Sequence, residues 1–267
     1  IMPTNTDNGQ MTFWQHLDEL RFVLIKIIAV SAACAVIAFI LKDEIFGLLL
    51  APQHDSFITY QWLERLGAAA GGEAMSEFNV QLISTALSAQ FIIHVKTAAY
   101  IGLLVALPYT LFLIFRFLAP ALYADERKYA TWATASGYVM FMLGVAVCYF
   151  VIFPLTFRFL GTYQVSSSVE NMISIQSYID TFITMNMLMG IMFELPVVCW
   201  IIAKTGMLKA SFMRRFRRHA VILILIIAAI ITPTADAFTM IAVAMPIYFL
   251  YELSILVVAL TTRKQTA

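Results

Sequence analysis

The chain has 267 residues, of which 61% are apolar and only 12% are charged, and its formal net charge is +1. A soluble domain carries about twice that charged fraction. The polar surface is therefore too small to cover a core of this size in water, which excludes a soluble globular protein, and the near-neutral charge gives no reason to expect a nucleic-acid partner.

A short amphipathic segment over residues 11–21 precedes the first apolar run. Leu17, Leu20 and Leu24 recur at three- and four-residue spacing, which predicts one apolar face on a helix. We expect this segment to lie at the membrane surface and to continue directly into the first span. A simple interfacial anchor would have the same pattern.

Several apolar runs reach the roughly 20 residues that a membrane-spanning helix needs. We therefore predict an all-α integral membrane protein, with residues 1–267 forming a single membrane domain with six transmembrane helices. The predicted spans are residues 22–41, 89–115, 129–153, 179–203, 220–231 and 238–260. The third run is expected to stop at Pro154.

The fifth run is much shorter than the others. About twelve residues make a helix of roughly 18 Å, whereas the hydrocarbon layer is roughly 30 Å thick. Such a helix is either a half-span sheltered by its neighbours or a device that thins the bilayer locally. The mismatch in length favours neither interpretation.

Lys and Arg residues are distributed unevenly among the segments between the runs. One set of segments holds most of them: Arg21, Lys26, Arg116, Arg127, Lys128, Lys204, Lys209, Arg214, Arg215, Arg217, Arg218, Arg263 and Lys264. The opposite set is poor in basic residues and collects most of the acids. Because basic loops stay in the cytoplasm, both termini are predicted to be cytoplasmic, which agrees with an even number of spans.

Signatures of enzymes and of metal sites are absent from the sequence. Cys34, Cys148 and Cys199 each fall inside an apolar run without a C-x-x-C pair, as expected for buried cysteines that act as small hydrophobic residues. We find no nucleophile elbow, no H-E-x-x-H and no Walker-type glycine loop. The expectation is a protein without enzymatic activity, metal or cofactor.

Glu194 lies near the middle of the fourth run, two residues before Pro196. A charge at that depth costs on the order of 2.5–3.5 kcal/mol, so an intramembrane acid indicates function by default. Pro196 cannot donate a hydrogen bond to the carbonyl of Met192, which predicts a local backbone defect that water or a side chain could fill. A purely structural interhelical hydrogen bond is the alternative, and for Glu252 in the sixth run that structural interpretation is favoured.

Four motifs, in the same order along the chain, resemble those of the TatC family. This family is the multispanning signal-peptide receptor subunit of the twin-arginine protein translocase. His16-Leu17-Asp18-Glu19-Leu20-Arg21 is similar to the signature before the first span, and 117–123 with Glu126-Arg127 is similar to the first cytoplasmic loop. Phe150-Val151-Ile152-Phe153-Pro154 resembles the end of the third span, and Phe193-Glu194-Leu195-Pro196 resembles an element of the fourth.

The resemblance implies a concave bundle of six helices, the fifth and sixth short, in the cytoplasmic (inner) membrane of a prokaryote. It implies a receptor and core subunit that binds twin-arginine signal peptides of folded proteins and nucleates the translocation complex for export. Glu19 and Glu126 are the implied signal-peptide contacts, and Glu194 is the implied intramembrane polar residue. The implied partners are single-span TatA- and TatB-type subunits, the lipid bilayer and further copies of this chain.

The chemistry of arginine agrees with that role. A guanidinium is a planar fork of donors that stays charged, and carboxylates are its natural bidentate partners. Two adjacent arginines therefore require two acids on one surface. The alternative is an ion-coupled secondary transporter of a small solute with Glu194 as the proton site, while the missing nucleophile and base argue against an intramembrane enzyme.

Overall fold

The chain folds into a mainly helical bundle in a computed structural model that describes residues 13–69, 80–118, 127–163, 171–204, 206–232 and 236–266. The helices in these ranges are α1 (Phe13–Ile40), α2 (Lys42–Leu50), α3 (Ile58–Ala69), α4 (Ala89–Leu118), α5 (Arg127–Val147), α6 (Phe153–Thr162), α7 (Ile175–Phe193), α8 (Leu195–Lys204), α9 (Ala210–Arg215), α10 (Arg217–Ile231) and α11 (Ala237–Thr266). Two short strands, β1 (Leu82–Ile83) and β2 (Ile173–Ser174), pair in parallel.

Five helical segments in the described part of the chain are long and apolar enough to cross a membrane. They are Leu17–Ile40, Ala89–Phe117, Thr134–Thr162, Ile175–Lys204 and Ala237–Thr262. The predicted class, an all-α membrane bundle, is confirmed. Because α10 has only 15 residues, about 22 Å of helix, the count of six spans is not confirmed and stays a prediction.

Two helices extend beyond the predicted spans. Pro154 does not end the third span, because a π-helical turn over Cys148–Ile152 comes first and places this proline in the first turn of α6. A missing N–H is tolerated in a first turn, so the helix continues to Thr162. The implied short sixth helix is not observed, since α11 continues to Thr266 and has 30 residues.

Helix α1 packs mainly against α4, and small residues allow the two backbones to approach closely. A Cβ added at Gly102 would lie 2.5 Å from the backbone nitrogen of Ala35. Close contact through small residues is typical of helices packed in lipid. Most of the remaining surface of α1 is apolar and exposed, as at Phe22 and Ile28, so this surface faces lipid. The helix is unbroken from Phe13, as expected for an amphipathic segment that continues into the first span.

Helix α7 lies at the centre of the bundle and contacts α4, α5, α10 and α11. Its side chains Met185 and Met189 are fully buried. A Cβ at Gly144 of α5 would lie 2.8 Å from the carbonyl oxygen of Met189, and one at Gly190 would lie 2.6 Å from the ring of Phe141. Glycines on both helices thus permit the close contact between α5 and α7.

Tyrosine hydroxyls attach the segment between α1 and α4 to the bundle. The buried Tyr60 of α3 donates to the carbonyl of Pro154 at 3.1 Å, and Tyr178 of α7 donates to the carbonyl of Leu49 at 2.8 Å. The guanidinium carbon of Arg158 lies 5.3 Å from the centre of the Tyr60 ring. Burial raises the pKa of Tyr60, although Arg158 opposes the shift, so the phenol keeps the proton that it donates.

Candidate functional site

Glu194 occupies the break between α7 and α8. Its backbone N–H donates to the carbonyl of Ile191 at 3.1 Å, which tightens the last turn of α7, and its own carbonyl accepts from Val198 at 2.9 Å. The break follows from Pro196, which has no N–H for the carbonyl of Met192. The local sequence therefore places a carboxyl group at an irregularity in the middle of a span.

The carboxyl group of Glu194 lies against α5. A Cβ added at Gly137 would lie 3.0 Å from Oε2 and 3.3 Å from Oε1 of Glu194, and 3.5 Å from the ring of Phe115 on α4. The side chain is half-buried, and Oε1 is buried without a hydrogen bond to any residue that the structure describes. A buried polar atom that makes no bond costs about 1–3 kcal/mol. This acid therefore does not contribute to stability as an interhelical hydrogen bond would.

A groove of about 590 Å³ runs between α5, α8 and α11. Its lining is mostly apolar: Ser136, Met140, Pro196, Val197, Trp200, Leu253 and Val257. Ser136 precedes Gly137 in the chain and Pro196 follows Glu194 by two positions. Two lining residues are thus close in the chain to Glu194 or to Gly137, against which Glu194 packs, and the apolar lining suits an apolar segment.

Glu19 lies on α1 and is half-buried. Its Oε2 atom is buried and has no hydrogen bond within the described ranges. Glu126 lies outside the described residues, as do residues 119–125 before it. The proximity of Glu19 and Glu126 therefore stays a prediction.

The packing of α1 on α4 bears on that prediction. Nε2 of His94 lies 3.0 Å from the carbonyl oxygen of Phe39, and Gly102 lies against Ala35. From the first contact to the second, the residue number increases along α4 and decreases along α1. The two helices are therefore antiparallel. Since both helices rise equally per residue, these two contacts bring Glu19 level with residues 114–118, the last turn of α4.

Glu252 differs from these acids because it is paired. Nη2 of Arg217 at the start of α10 lies 2.5 Å from Oε2 of Glu252 on α11, and Tyr248 donates to Oε1 at 3.3 Å. The structural interpretation favoured for Glu252 agrees with this ion pair, which joins two neighbouring helices.

Sequence reasoning missed two residues near the site. Asn186 of α7 is fully buried, and its Nδ2 donates to the carbonyl of Phe182 at 2.9 Å, while its Oδ1 has no partner among the described residues. It lies eight residues before Glu194, about 12 Å along the helix. An amide inside an apolar run is the sequence signal that could have revealed Asn186. The second missed residue is Gly137, which has no such signal because its role depends on contact with Glu194 of a neighbouring helix.

The family description "Sec-independent protein translocase protein (TatC)" matches residues 15–246 of the chain. Two relatives with the name "Sec-independent protein translocase protein TatC" are similar over nearly the whole chain. The protein of Blattabacterium sp. subsp. Periplaneta americana is 30% identical over 97% of this chain and 99% of its own length. The protein of Deinococcus radiodurans is 32% identical over 96% of this chain and 88% of its own length.

Two solved structures resemble the fold. A crystal structure described as that of the twin arginine translocase receptor TatC superimposes with a TM-score of 0.73 at 29% identity, covering 92% of this chain and 99% of its own. A second, described as the same receptor in DDM, superimposes with a TM-score of 0.74 at 28% identity, covering 90% and 98%. The similarity extends over both sequence and fold and is not confined to a few motifs.

Proposed function

This chain belongs to the TatC family, and we propose that it acts as the receptor of a twin-arginine translocase by binding the paired arginines of a signal peptide with Glu19 and Glu126. The motifs that carry both acids match the family in order, and the family match extends from residue 15 to residue 246. The observation that carries the proposal is the antiparallel register of α1 on α4, which brings Glu19 level with the end of α4.

That register supports a two-acid site because Glu126 lies in the chain between Leu118, where α4 ends, and Arg127, where α5 begins. Two carboxylates at a common membrane depth would match two adjacent guanidiniums, each of which takes a carboxylate in bidentate geometry. A lysine offers a point charge without that fork. Replacement of the signal arginines by lysines is therefore expected to weaken binding.

The apolar part of the signal peptide would follow the groove beside Glu194. The lining of this groove is apolar. Transfer of an apolar peptide segment from water into such a groove is favourable. Oε1 of Glu194 is buried and has no hydrogen bond to a described residue, so a rotation of this side chain toward the groove would let it bind a polar group of the inserted peptide. Glu194 would then serve as the intramembrane polar contact of the receptor.

The same proposal includes the orientation and the partners. Both termini lie in the cytoplasm of a prokaryote, α10 completes six spans of the inner membrane, and the chain catalyses no reaction. Single-span TatA- and TatB-type subunits and further copies of this chain complete the translocation complex. The exposed apolar residues along α1, α10 and α11, such as Ile28, Ile230 and Phe249, support contacts with lipid and with single-span helices.

Crosslinking tests the two-acid site. A peptide with a photoreactive group beside its paired arginines is added to membranes that contain the full chain. The double variant Glu19→Arg with Glu126→Arg is expected to abolish the crosslink, because both carboxylates are replaced by positive charges that repel the arginines of the peptide. The matched control, Asp18→Arg with Asp125→Arg, changes the same number of charges at adjacent positions and should retain it.

An unchanged crosslink in the Glu19 and Glu126 variant would contradict the site assignment. Equal loss in the control would show that general surface charge, rather than these two acids, attracts the peptide. Elution of each variant from a sizing column in detergent confirms that it is folded. Loss of the crosslink with a dilysine peptide, but not with the diarginine peptide, would sharpen the assignment to the guanidinium fork.

A further inference from the structure

A basic and aromatic surface lies outside the signal-peptide site, on the segment between α8 and α10. It borders a cavity of about 660 Å³. Its residues, which we call the α9 surface, are Met207, Lys209, Ser211, Phe212, Arg215 and Phe216. No acid lines this cavity within the described ranges.

The α9 surface exposes apolar and cationic side chains together. Met207 is 81% exposed and Phe212 is 56% exposed, while Lys209 and Arg215 are also exposed. The Phe212 and Phe216 rings pack with centroids 4.5 Å apart, and Met213 on the opposite side of the short helix is buried in the bundle. Exposed apolar residues beside basic ones are typical of protein segments in the interfacial layer of a membrane.

The short helix α10 brings this surface close to the lipid head groups. Helix α10 begins at Arg217, directly after the α9 surface, and measures about 22 Å. That length is about 8 Å less than a hydrocarbon layer of roughly 30 Å. One face of α10 is buried through Ile224 and Ala228 and its other face is exposed, so lipid beside the exposed face must adapt to the short helix.

We propose that the α9 surface binds the phosphate head group of an anionic phospholipid. Arg215 and Lys209 neutralise the phosphate, the hydroxyl of Ser211 donates to it, and the exposed apolar side chains contact the glycerol and the first methylene groups. An arginine-bearing signal peptide is repelled by the same charges, which separates this surface from the receptor site. The proposal does not depend on the assignment of Glu19 and Glu126.

Lipid titration of the purified full chain tests the proposal. Native mass spectrometry in detergent measures the binding of phosphatidylglycerol and, separately, of phosphatidylcholine. The variant Lys209→Gln with Arg215→Gln is expected to weaken phosphatidylglycerol binding about 25-fold, because each basic residue near anionic lipid contributes about fivefold. Binding of phosphatidylcholine should be weaker in the wild type and should change little in the variant.

The matched control is Arg214→Gln with Arg218→Gln, which removes two exposed arginines that do not line the cavity. We expect a loss below about threefold, since these charges attract the lipid only at a distance. An equal loss in both double variants, or equal affinity for the two lipids, would overturn the proposal.

Two competitors identify the source of the phosphate. Inorganic phosphate, which has no apolar part, and a polyglutamate peptide should both fail to displace phosphatidylglycerol, and displacement by either one at millimolar concentration would overturn the lipid assignment. If the double variant does not fold, Phe212→Ala removes only an exposed ring. We then expect at least about a threefold loss of lipid affinity, and unchanged affinity would contradict the proposal.

Discussion

Glu194 and Glu252 are both acids within apolar helices, and they differ in what surrounds them. Glu252 on α11 is paired with Arg217 at 2.5 Å and also accepts a hydrogen bond from Tyr248. Glu194, at the break between α7 and α8, lies against Gly137 and has a buried oxygen without a hydrogen bond to any described residue. Among the described residues, Glu252 has polar partners that offset the cost of burial, whereas Oε1 of Glu194 has none.

The comparison distinguishes an acid that joins two helices from an acid that has a functional role. The paired acid of α11 connects this helix to the start of α10, so its removal should cost stability. An acid whose buried oxygen makes no hydrogen bond costs stability while it is present, and an intramembrane acid of that kind indicates a functional role. This difference also disfavours Glu194 as a structural hydrogen bond, the alternative considered from the sequence.

The largest expected effect comes from the contact that forms one side of the Glu194 region. Leucine at Gly144 would overlap the carbonyl of Met189, which lies 2.8 Å from the added Cβ, and would separate α7 from α5. We expect Gly144→Leu to lower the free energy of unfolding in detergent by about 3 kcal/mol or more. Gly47→Leu is the matched control, because nothing lies within 4 Å of its Cβ position, and a stable Gly144→Leu variant would contradict the packing.

Removal of the acid itself should have the opposite sign. Glu194→Leu eliminates a buried oxygen that makes no described hydrogen bond, and we expect it to raise the free energy of unfolding by about 1–3 kcal/mol. Export of a twin-arginine reporter should fall at the same time. A less stable variant would show that the carboxyl group has a structural partner, and the comparison with Glu252 would then fail.

A smaller effect is expected at the residue that gives the carboxyl group its space. Alanine at Gly137 would place a Cβ 3.0 Å from Oε2 of Glu194, and the carboxyl group would have to move. We expect Gly137→Ala to cost about 1 kcal/mol in the wild type and almost nothing in a Glu194→Ala background. A double-mutant cycle measures this coupling, and equal costs in both backgrounds would contradict the contact.

The smallest effect belongs to the paired acid. Glu252→Gln should lower stability by less than about 1 kcal/mol, because the Arg217–Glu252 pair is partly exposed and partly screened. Arg217→Gln should have a similar cost, and the double variant should cost little more than either single change. Additive losses would indicate that the two side chains act independently, and a loss above about 3 kcal/mol would indicate a fully buried pair.

Much of this architecture is encoded locally and was predictable. Each long apolar run must form a helix, because the membrane offers no other partner for its backbone groups. The break at Glu194 follows from Pro196, which lacks an N–H wherever it is placed. The family motifs were also readable because they are short and contiguous, as in Phe193-Glu194-Leu195-Pro196.

The helix boundaries near Pro154 and Thr266 were predicted less well. A proline normally signals the end of a helix, but the π-helical turn that precedes Pro154 places it in a first turn, where it is tolerated. The last turns of α11 are polar, and threonine hydroxyls within them bond to carbonyls one turn earlier, as Thr261 does to Val257. The length of the apolar run therefore underestimated the length of both helices.

The sequence by itself determined a helical membrane protein, its family and the three candidate acids, since composition and short motifs do not depend on distant neighbours. Only the tertiary structure decided that Glu252 has a partner and that Glu194 lies against a glycine of another helix, because these contacts join residues 35 and 57 positions apart. The register of α1 on α4, on which the proposed position of Glu19 depends, was likewise set by the packing of Gly102 against Ala35. Close packing between helices depends on the fit of side chains from two segments, which the sequence of either segment alone does not specify.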